Sequence, residues 1–118
     1  MKFYRCKKCG NIITSKDTPI CCGDEMEELI PNTVDAALEK HVPVYKINND
    51  KIEVTVGEVE HPMLDNHYIT FIAQISDDKV NMVKLNPGDK PSATFEYIKD
   101  SKIYEYCNLH GLWVTDVK

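Results

Sequence analysis

The sequence has little of what nucleic-acid-binding and membrane proteins need. Its 118 residues include only 14 lysines and arginines against 19 aspartates and glutamates, a formal net charge of -5. This balance argues against a general nucleic-acid binder, since such proteins need basic patches to neutralise phosphates. No apolar run approaches the roughly 20 residues of a membrane span, and the amino terminus lacks the apolar stretch of a signal peptide. We therefore expect a cytoplasmic protein that binds neither nucleic acid nor membrane.

Cysteine and histidine are also scarce, with five and four residues, and they cluster. An odd number of cysteines does not suit a fully paired disulfide framework, and a reducing cytoplasm leaves thiols available for metals. Two groups account for every one of these side chains. The four-cysteine group comprises Cys6, Cys9, Cys21 and Cys22. The histidine-cysteine group comprises His41, His61, His67, Cys107 and His110. The sequence therefore predicts two metal centres.

Residues 1–31 form a predicted separate module around the four-cysteine group. Cys6 and Cys9 have the spacing of a metal-binding knuckle, and a turn-forming segment precedes the adjacent pair of Cys21 and Cys22. Four thiolates suit tetrahedral zinc or iron. Spacing alone favours a structural zinc that holds a small module together. The adjacent cysteines are the argument for iron, because a distorted angle at the metal would tune a redox centre. Disulfides are a third alternative, which the reducing compartment disfavours.

Residues 32–118 have the pattern of an antiparallel β-sandwich of immunoglobulin-like build. Asn32 and Thr33 are good N-cap residues for a short helix over 34–38, with plain linker as the alternative because so short a helix is marginal alone. Beyond His41 the hydrophobic period becomes two, and turns separate the strands at the spacing of a sandwich. The predicted strands cover residues 44–47, 52–56, 68–75, 80–85, 93–97, 103–106 and 112–117.

The histidine-cysteine group lies near the ends of these strands, where the loops of a sandwich cluster. Taken singly, each histidine at a turn is usually a solvated surface residue, and Cys107 would be a small buried hydrophobe. Together they indicate one ion. Zinc prefers four ligands, and a blue-copper site would need an axial methionine that does not follow His110. Iron takes six ligands readily, so five protein ligands would leave one position for a small molecule.

Glu39 and Lys40 directly precede His41. If His41 binds iron, both side chains would lie at the rim of the open position. Lys40 would then attract a small anion in an otherwise acidic protein, and Glu39 could bind the vacant position or relay a proton. An ordinary solvated pair of charges is the alternative that these two residues leave open.

As a set, these motifs resemble those of the two-iron superoxide reductases, also called desulfoferrodoxins, over essentially the whole chain. The four-cysteine group resembles the desulforedoxin-type centre, a rubredoxin-like iron held by four thiolates. The 11 residues between its two cysteine pairs are fewer than is common in the family. Segments 39–43, 61–63 and 107–113, together with His67, resemble the catalytic motifs. The resemblance favours iron over zinc at the first centre.

The resemblance implies two iron ions per chain and a superoxide reductase. The histidines would bind the second iron equatorially and Cys107 axially, with superoxide at the sixth position and Glu39 and Lys40 as lid residues. The implied reaction is the one-electron reduction of superoxide to hydrogen peroxide, with rubredoxin as the external donor, in an anaerobe or microaerophile. A homodimer is also implied. The alternative is a non-enzymatic protein of electron transport or structural metal binding.

Overall fold

The computed structural model describes residues 1–33, 41–57 and 61–118. They divide into two compact units, Met1–Ile30 and Pro31–Lys118. The predicted helix over 34–38 lies outside the described residues, as do Glu39 and Lys40. The elements that lie wholly within the described ranges are all β-strands, and no helix there has the length and apolar character needed to span a membrane. The mainly β class is therefore confirmed, whereas the assignment of 1–31 to an iron module and 32–118 to a catalytic domain stays a prediction.

The first unit is built from five short strands. They are β1 (Lys2–Arg5), β2 (Ile12–Ser15), β3 (Ile20–Cys21), β4 (Asp24–Glu25) and β5 (Glu27–Leu29). β1 is the central strand of an antiparallel sheet in the order β2-β1-β5, while β3 and β4 pair separately. β1 could not be predicted from the sequence, because Phe3 and Tyr4 are both buried and the strand therefore has no alternation of period two. The small core of the unit contains Tyr4, Cys6 and Met26.

The second unit is a sandwich of two antiparallel sheets. Its strands are β6 (Pro43–Asn48), β7 (Lys51–Val56), β8 (Ile69–Ser76), β9 (Lys79–Lys84), β10 (Ser92–Glu96), β11 (Lys102–Cys107) and β12 (Gly111–Asp116). One sheet has the order β10-β7-β6 and the other the order β12-β11-β8-β9. Each strand begins and ends within one residue of its predicted bounds, so the seven-strand prediction is confirmed.

The core of this unit lies between the two sheets. On β7 the side chains of Ile52, Val54 and Val56 are buried and alternate with exposed polar neighbours, as expected for a strand with one wet face. They join a cluster that also contains Cys107 of β11. Thr115 Oγ1 of β12 donates a hydrogen bond to the carbonyl oxygen of Pro43 at 2.6 Å. That bond joins the two sheets beside the point where β6 begins.

Candidate metal centres

The histidine-cysteine group converges on one point of the second unit. The pairing registers put the start of β8, the end of β11 and the start of β12 at one end of their sheet. Ring contacts of His41 with His61 and His110 bring the residue two positions before β6 to the same place. The donor atoms of the five side chains all lie within 4.8 Å of one another. Metal–nitrogen bonds of about 2.1 Å place donors on opposite sides of an ion about 4.2 Å apart. Five donors this close together can therefore share one ion.

The four imidazole rings form a closed cycle. The ring of His41 contacts the rings of His61 and His110, and the ring of His67 contacts the same two rings. Neighbouring ring centroids are 4.8–5.1 Å apart, with interplanar angles of 75–85°. Nε2 of His41 lies 3.0 Å from Nδ1 of His110 and 3.2 Å from Nε2 of His61. The ring nitrogens thus face inward, as ligands around one ion would.

Burial keeps His61 in the form that binds metals. Removal of its ring from water, together with smaller contributions from the three neighbouring imidazoles, lowers its pKa to about 4, although the hydrogen bond to Pro62 acts in the opposite direction. Its Nδ1–H donates to the carbonyl oxygen of Pro62 at 2.7 Å, which leaves Nε2 for the centre of the cycle. A backbone carbonyl that holds the second nitrogen is the usual support of a metal-binding histidine. His61 is therefore neutral and oriented at pH 7, as a ligand must be.

Cys107 adds one sulfur to the four nitrogens. The thiol is fully buried, and its Sγ lies 3.8 Å from Nδ1 of His110. Burial raises its pKa, which the backbone N–H groups of Leu109 and His110 partly offset. A metal ion would displace the thiol proton and leave those two N–H groups to stabilise the thiolate. The mixed donor set, with one more member than zinc takes, suits iron.

Asn108 links the two loops that carry most of these ligands. Its Oδ1 accepts a hydrogen bond from the backbone N–H of Tyr68 at 2.9 Å, and its Nδ2 donates to the carbonyl oxygen of Asn66 at 3.2 Å. Its backbone N–H donates to the Tyr68 carbonyl oxygen. Gly111, at φ +83°, then turns the chain back into β12. This role of Asn108 could not be predicted from the sequence, because the partner loop lies about forty residues away along the chain.

Asn108→Ala is expected to lower the free energy of unfolding of the second unit by roughly 1–3 kcal/mol, because two side-chain hydrogen bonds between the loops are lost. Urea unfolding of the iron-loaded protein measures the change. Asn66→Ala is the matched control, since that substitution keeps the carbonyl oxygen to which Asn108 donates. Equal stability losses in the two variants would contradict the assignment.

The four-cysteine group forms the second cluster, within the first unit. Its four sulfurs all lie within 4.8 Å of one another. Sγ of Cys21 is 3.7 Å from Sγ of Cys9 and 3.9 Å from Sγ of Cys22. Metal–sulfur bonds of about 2.3 Å in a tetrahedron place sulfurs about 3.8 Å apart. The spacing therefore matches one tetrahedral ion.

The backbone at Cys22 explains how two adjacent cysteines reach the same ion. Successive side chains of an extended chain point to opposite sides. Cys22, however, has a φ of +55° and Gly23 a φ of +83°, and this left-handed turn brings the two thiols to within 3.9 Å. The Nζ of Lys8 donates to the carbonyl oxygen of Cys22 at 3.3 Å and helps to hold the turn.

Electrostatics in this cluster favour a cation. The backbone N–H of Cys9 lies 3.4 Å from Sγ of Cys6 and is the main reason why the pKa of Cys6 falls to about 6. Hydrogen bonds with the neighbouring thiols, first that of Cys6, raise the pKa of Cys21 to about 12. Four sulfurs this close cannot all become thiolates by themselves, and a metal ion supplies the missing positive charge.

One further buried polar residue, Glu105, was not found from the sequence. It lies two residues before Cys107 on β11, is fully buried, and pairs across the sheet with Trp113. Neither carboxylate oxygen has a hydrogen-bond partner among the described residues. Burial raises its pKa well above the usual range, so the side chain is held as the neutral acid. The only signal in the sequence was a carboxylate inside an otherwise apolar strand.

The structure brings all nine predicted metal ligands into these two clusters, and Glu39 and Lys40 lie outside the residues that it describes. Fold and donor sets together define a small β-protein with two metal centres. Residues 33–116 match the sequence profile of the Desulfoferrodoxin family. The desulfoferrodoxin of Syntrophotalea carbinolica is 47% identical over 121 residues, which cover 98% of this chain and 96% of that protein. The chain belongs to the desulfoferrodoxin family.

Solved structures agree with this assignment. The superoxide reductase of Treponema pallidum has a TM-score of 0.77 and 29% identity, with 97% of each chain covered. The one-iron superoxide reductase of Giardia intestinalis has a TM-score of 0.61 and 29% identity. That match covers 68% of this chain and 98% of the Giardia protein. The two-part β fold is thus confirmed, and the two donor sets match the two iron centres of a desulfoferrodoxin.

Proposed function

We propose that this protein is a superoxide reductase. Superoxide would take up one electron and two protons and become hydrogen peroxide, without production of oxygen. The observation that carries the proposal is the convergence of the histidine-cysteine group, with five donor atoms within 4.8 Å of one another. Similarity to the superoxide reductase of Treponema pallidum over 97% of the chain supports it.

Each donor has a defined task at this centre. When bound there, ferrous iron supplies the single electron that the reaction needs. The four imidazoles would hold the metal, and the Pro62 carbonyl oxygen fixes the ring of His61 for that role. The N–H groups of Leu109 and His110 stabilise the sulfur of Cys107 as a thiolate. Five protein ligands would leave room for superoxide at an ion that takes six, and solvent would supply the protons.

Glu39 and Lys40 are the proposed catalytic residues outside the metal ligands. Both directly precede His41, whose Nε2 lies within the imidazole cycle. Lys40 would raise the local concentration of superoxide by its positive charge, which matters more in a chain of net charge -5. Glu39 would occupy the sixth position when substrate is absent, or relay a proton.

Lys40→Ala is expected to lower the second-order rate constant with superoxide about tenfold at low ionic strength, since steering of a small anion adds at least that much to association rates. The difference should shrink as salt shortens the Debye length. Pulse radiolysis at several ionic strengths measures it. Lys46→Ala is the matched control, because it removes the same charge from an exposed position of β6. Equal rate constants for the two variants would refute the role of Lys40.

We further propose that rubredoxin returns an electron to the oxidised centre. The protein would be a homodimer, and it would remove superoxide in the cytoplasm of an anaerobe or microaerophile. Five free cysteines suit a reducing compartment. A unit with so few core residues would gain stability from a partner surface. Light scattering tests the dimer, and reduction of the oxidised protein by reduced rubredoxin tests the donor.

A second candidate is a non-enzymatic electron carrier or metal-binding protein. The observation in its favour is that Cys9 and Cys22 of the four-cysteine group are exposed, as electron exchange with a partner requires. Stopped-flow mixing with superoxide separates the two candidates. Rapid oxidation of the ferrous histidine-cysteine centre supports the reductase. A chain that holds two irons but reacts slowly would be a carrier.

A further inference from the structure

Trp113, the only tryptophan in the chain, contacts two members of the histidine-cysteine group. Its ring stacks on the imidazole of His41, with centroids 5.2 Å apart and an interplanar angle of 25°. Its Nε1–H donates to the carbonyl oxygen of His110 at 3.1 Å. The side chain is 1% exposed and is the largest fully buried one among the described residues. One rigid indole thus touches both the first and the last histidine of the group.

The fold around Trp113 leaves the ring little freedom. On β12 it lies opposite Glu105 of β11, so these two side chains share the inner face of their sheet. Two residues further along β12, Thr115 Oγ1 is bonded to the Pro43 carbonyl oxygen, which fixes the chain two residues after His41. The indole therefore lies between the strand that carries it and the segment that carries His41.

We propose that Trp113 is a positioning residue that fixes the orientations of His41 and His110 for the iron. The stack restricts rotation of the His41 ring. The hydrogen bond to the His110 carbonyl oxygen holds the turn from Cys107 to Gly111, in which Sγ and Nδ1 are 3.8 Å apart. This inference rests on the five-ligand iron centre proposed above. Outer partners of metal ligands typically change metal affinity 10- to 100-fold when they are removed.

The two contacts can be removed one after the other. Trp113→Phe keeps an aromatic ring against His41 but loses the N–H donor, whereas Trp113→Leu loses both contacts. We expect iron at the histidine-cysteine group to be released to a ferrous chelator a few-fold faster in Trp113→Phe and about 10- to 100-fold faster in Trp113→Leu. The absorption band from the Cys107 thiolate to the iron should shift in both variants. Release rates and absorbance from the four-cysteine group should not change, which provides a control within the same molecule.

Phe95→Leu is the external control for lost packing. Phe95 is a buried aromatic of the core cluster that contains Cys107, but it pairs with Ile52 near the opposite end of its sheet. We expect this variant to be less stable and to release iron at the wild-type rate. The proposal is overturned if Trp113→Leu also releases iron at that rate, or if Phe95→Leu accelerates release as much.

Two other experimental results would also decide whether Trp113 positions the ligands. If Trp113→Leu does not fold, Trp113→Phe decides alone, and a wild-type release rate with an unshifted band overturns the proposal. If the wild-type protein holds only one iron per chain, at the four-cysteine group, the five-ligand centre itself is refuted, and the role of Trp113 with it. Iron release requires no superoxide, so a failure of the proposed activity alone leaves this test intact.

Discussion

Cys107→Ser is expected to abolish the thiolate-to-iron absorption band of the histidine-cysteine centre. It should also reduce the rate of reaction with superoxide by more than about 100-fold. The sulfur is the only thiolate in the histidine-cysteine group. A serine hydroxyl stays protonated at neutral pH and binds iron poorly. Removal of a direct ligand should cost more than the 10- to 100-fold that loss of an outer partner costs.

The substitution also removes the electron donation that a thiolate gives to iron, which in haem thiolate enzymes favours chemistry at the opposite position. Metal analysis, visible spectroscopy and stopped-flow mixing with superoxide measure the three effects. Cys9→Ser makes the same chemical change in the other unit and is the control. A Cys107→Ser protein that kept the band and the rate would show that this sulfur does not bind the iron.

The sandwich was predictable because its signals are local. A strand such as β7 alternates buried and exposed side chains with period two, and turn residues mark its ends. The nine metal ligands were predictable for a different reason. Cysteine and histidine are so scarce that every one of them could be assigned to a centre without any knowledge of the fold.

The supports of the site could not be predicted, because they join segments far apart in the sequence. Trp113 stacks on a ring that lies 72 residues earlier in the chain, and nothing in the spacing of the two residues indicates it. The left-handed backbone at Cys22 was equally hidden, since that conformation is usual for glycine and rare for cysteine. The left-handed conformation turns the two adjacent side chains to the same side, so that both thiols can bind one ion.

The choice between zinc and iron was also beyond spacing and geometry. Sulfur separations of 3.7–3.9 Å in the four-cysteine group suit a tetrahedral ion of either metal. Similarity to a desulfoferrodoxin over 98% of the chain, which includes this group, assigns iron there. At the histidine-cysteine group the donors themselves are informative, because five of them exceed the four that zinc prefers.

Cys9→Ser is expected to remove the iron of the four-cysteine group, with its absorption bands, and to leave the other centre intact. Sγ of Cys9 lies 3.7 Å from Sγ of Cys21, and three thiolates would remain to hold the ion. All five donors of the histidine-cysteine group belong to the unit Pro31–Lys118, which has its own core. Iron content should fall from about two to about one per chain, while the rate with superoxide is unchanged.

The first unit should also lose its structure in this variant. Its core cluster of buried residues has three members, one of which is the ligand Cys6, so the metal supplies much of its folding free energy. Hydrogen exchange should therefore show loss of protection in β1, β2 and β5, with the seven strands of the sandwich still protected. Lys16→Ser, at an exposed position of the same unit that supplies no ligand, is the matched control. If Cys9→Ser lost both irons or slowed the reaction with superoxide, the two centres would depend on each other, and the division of labour proposed for the two units would be wrong.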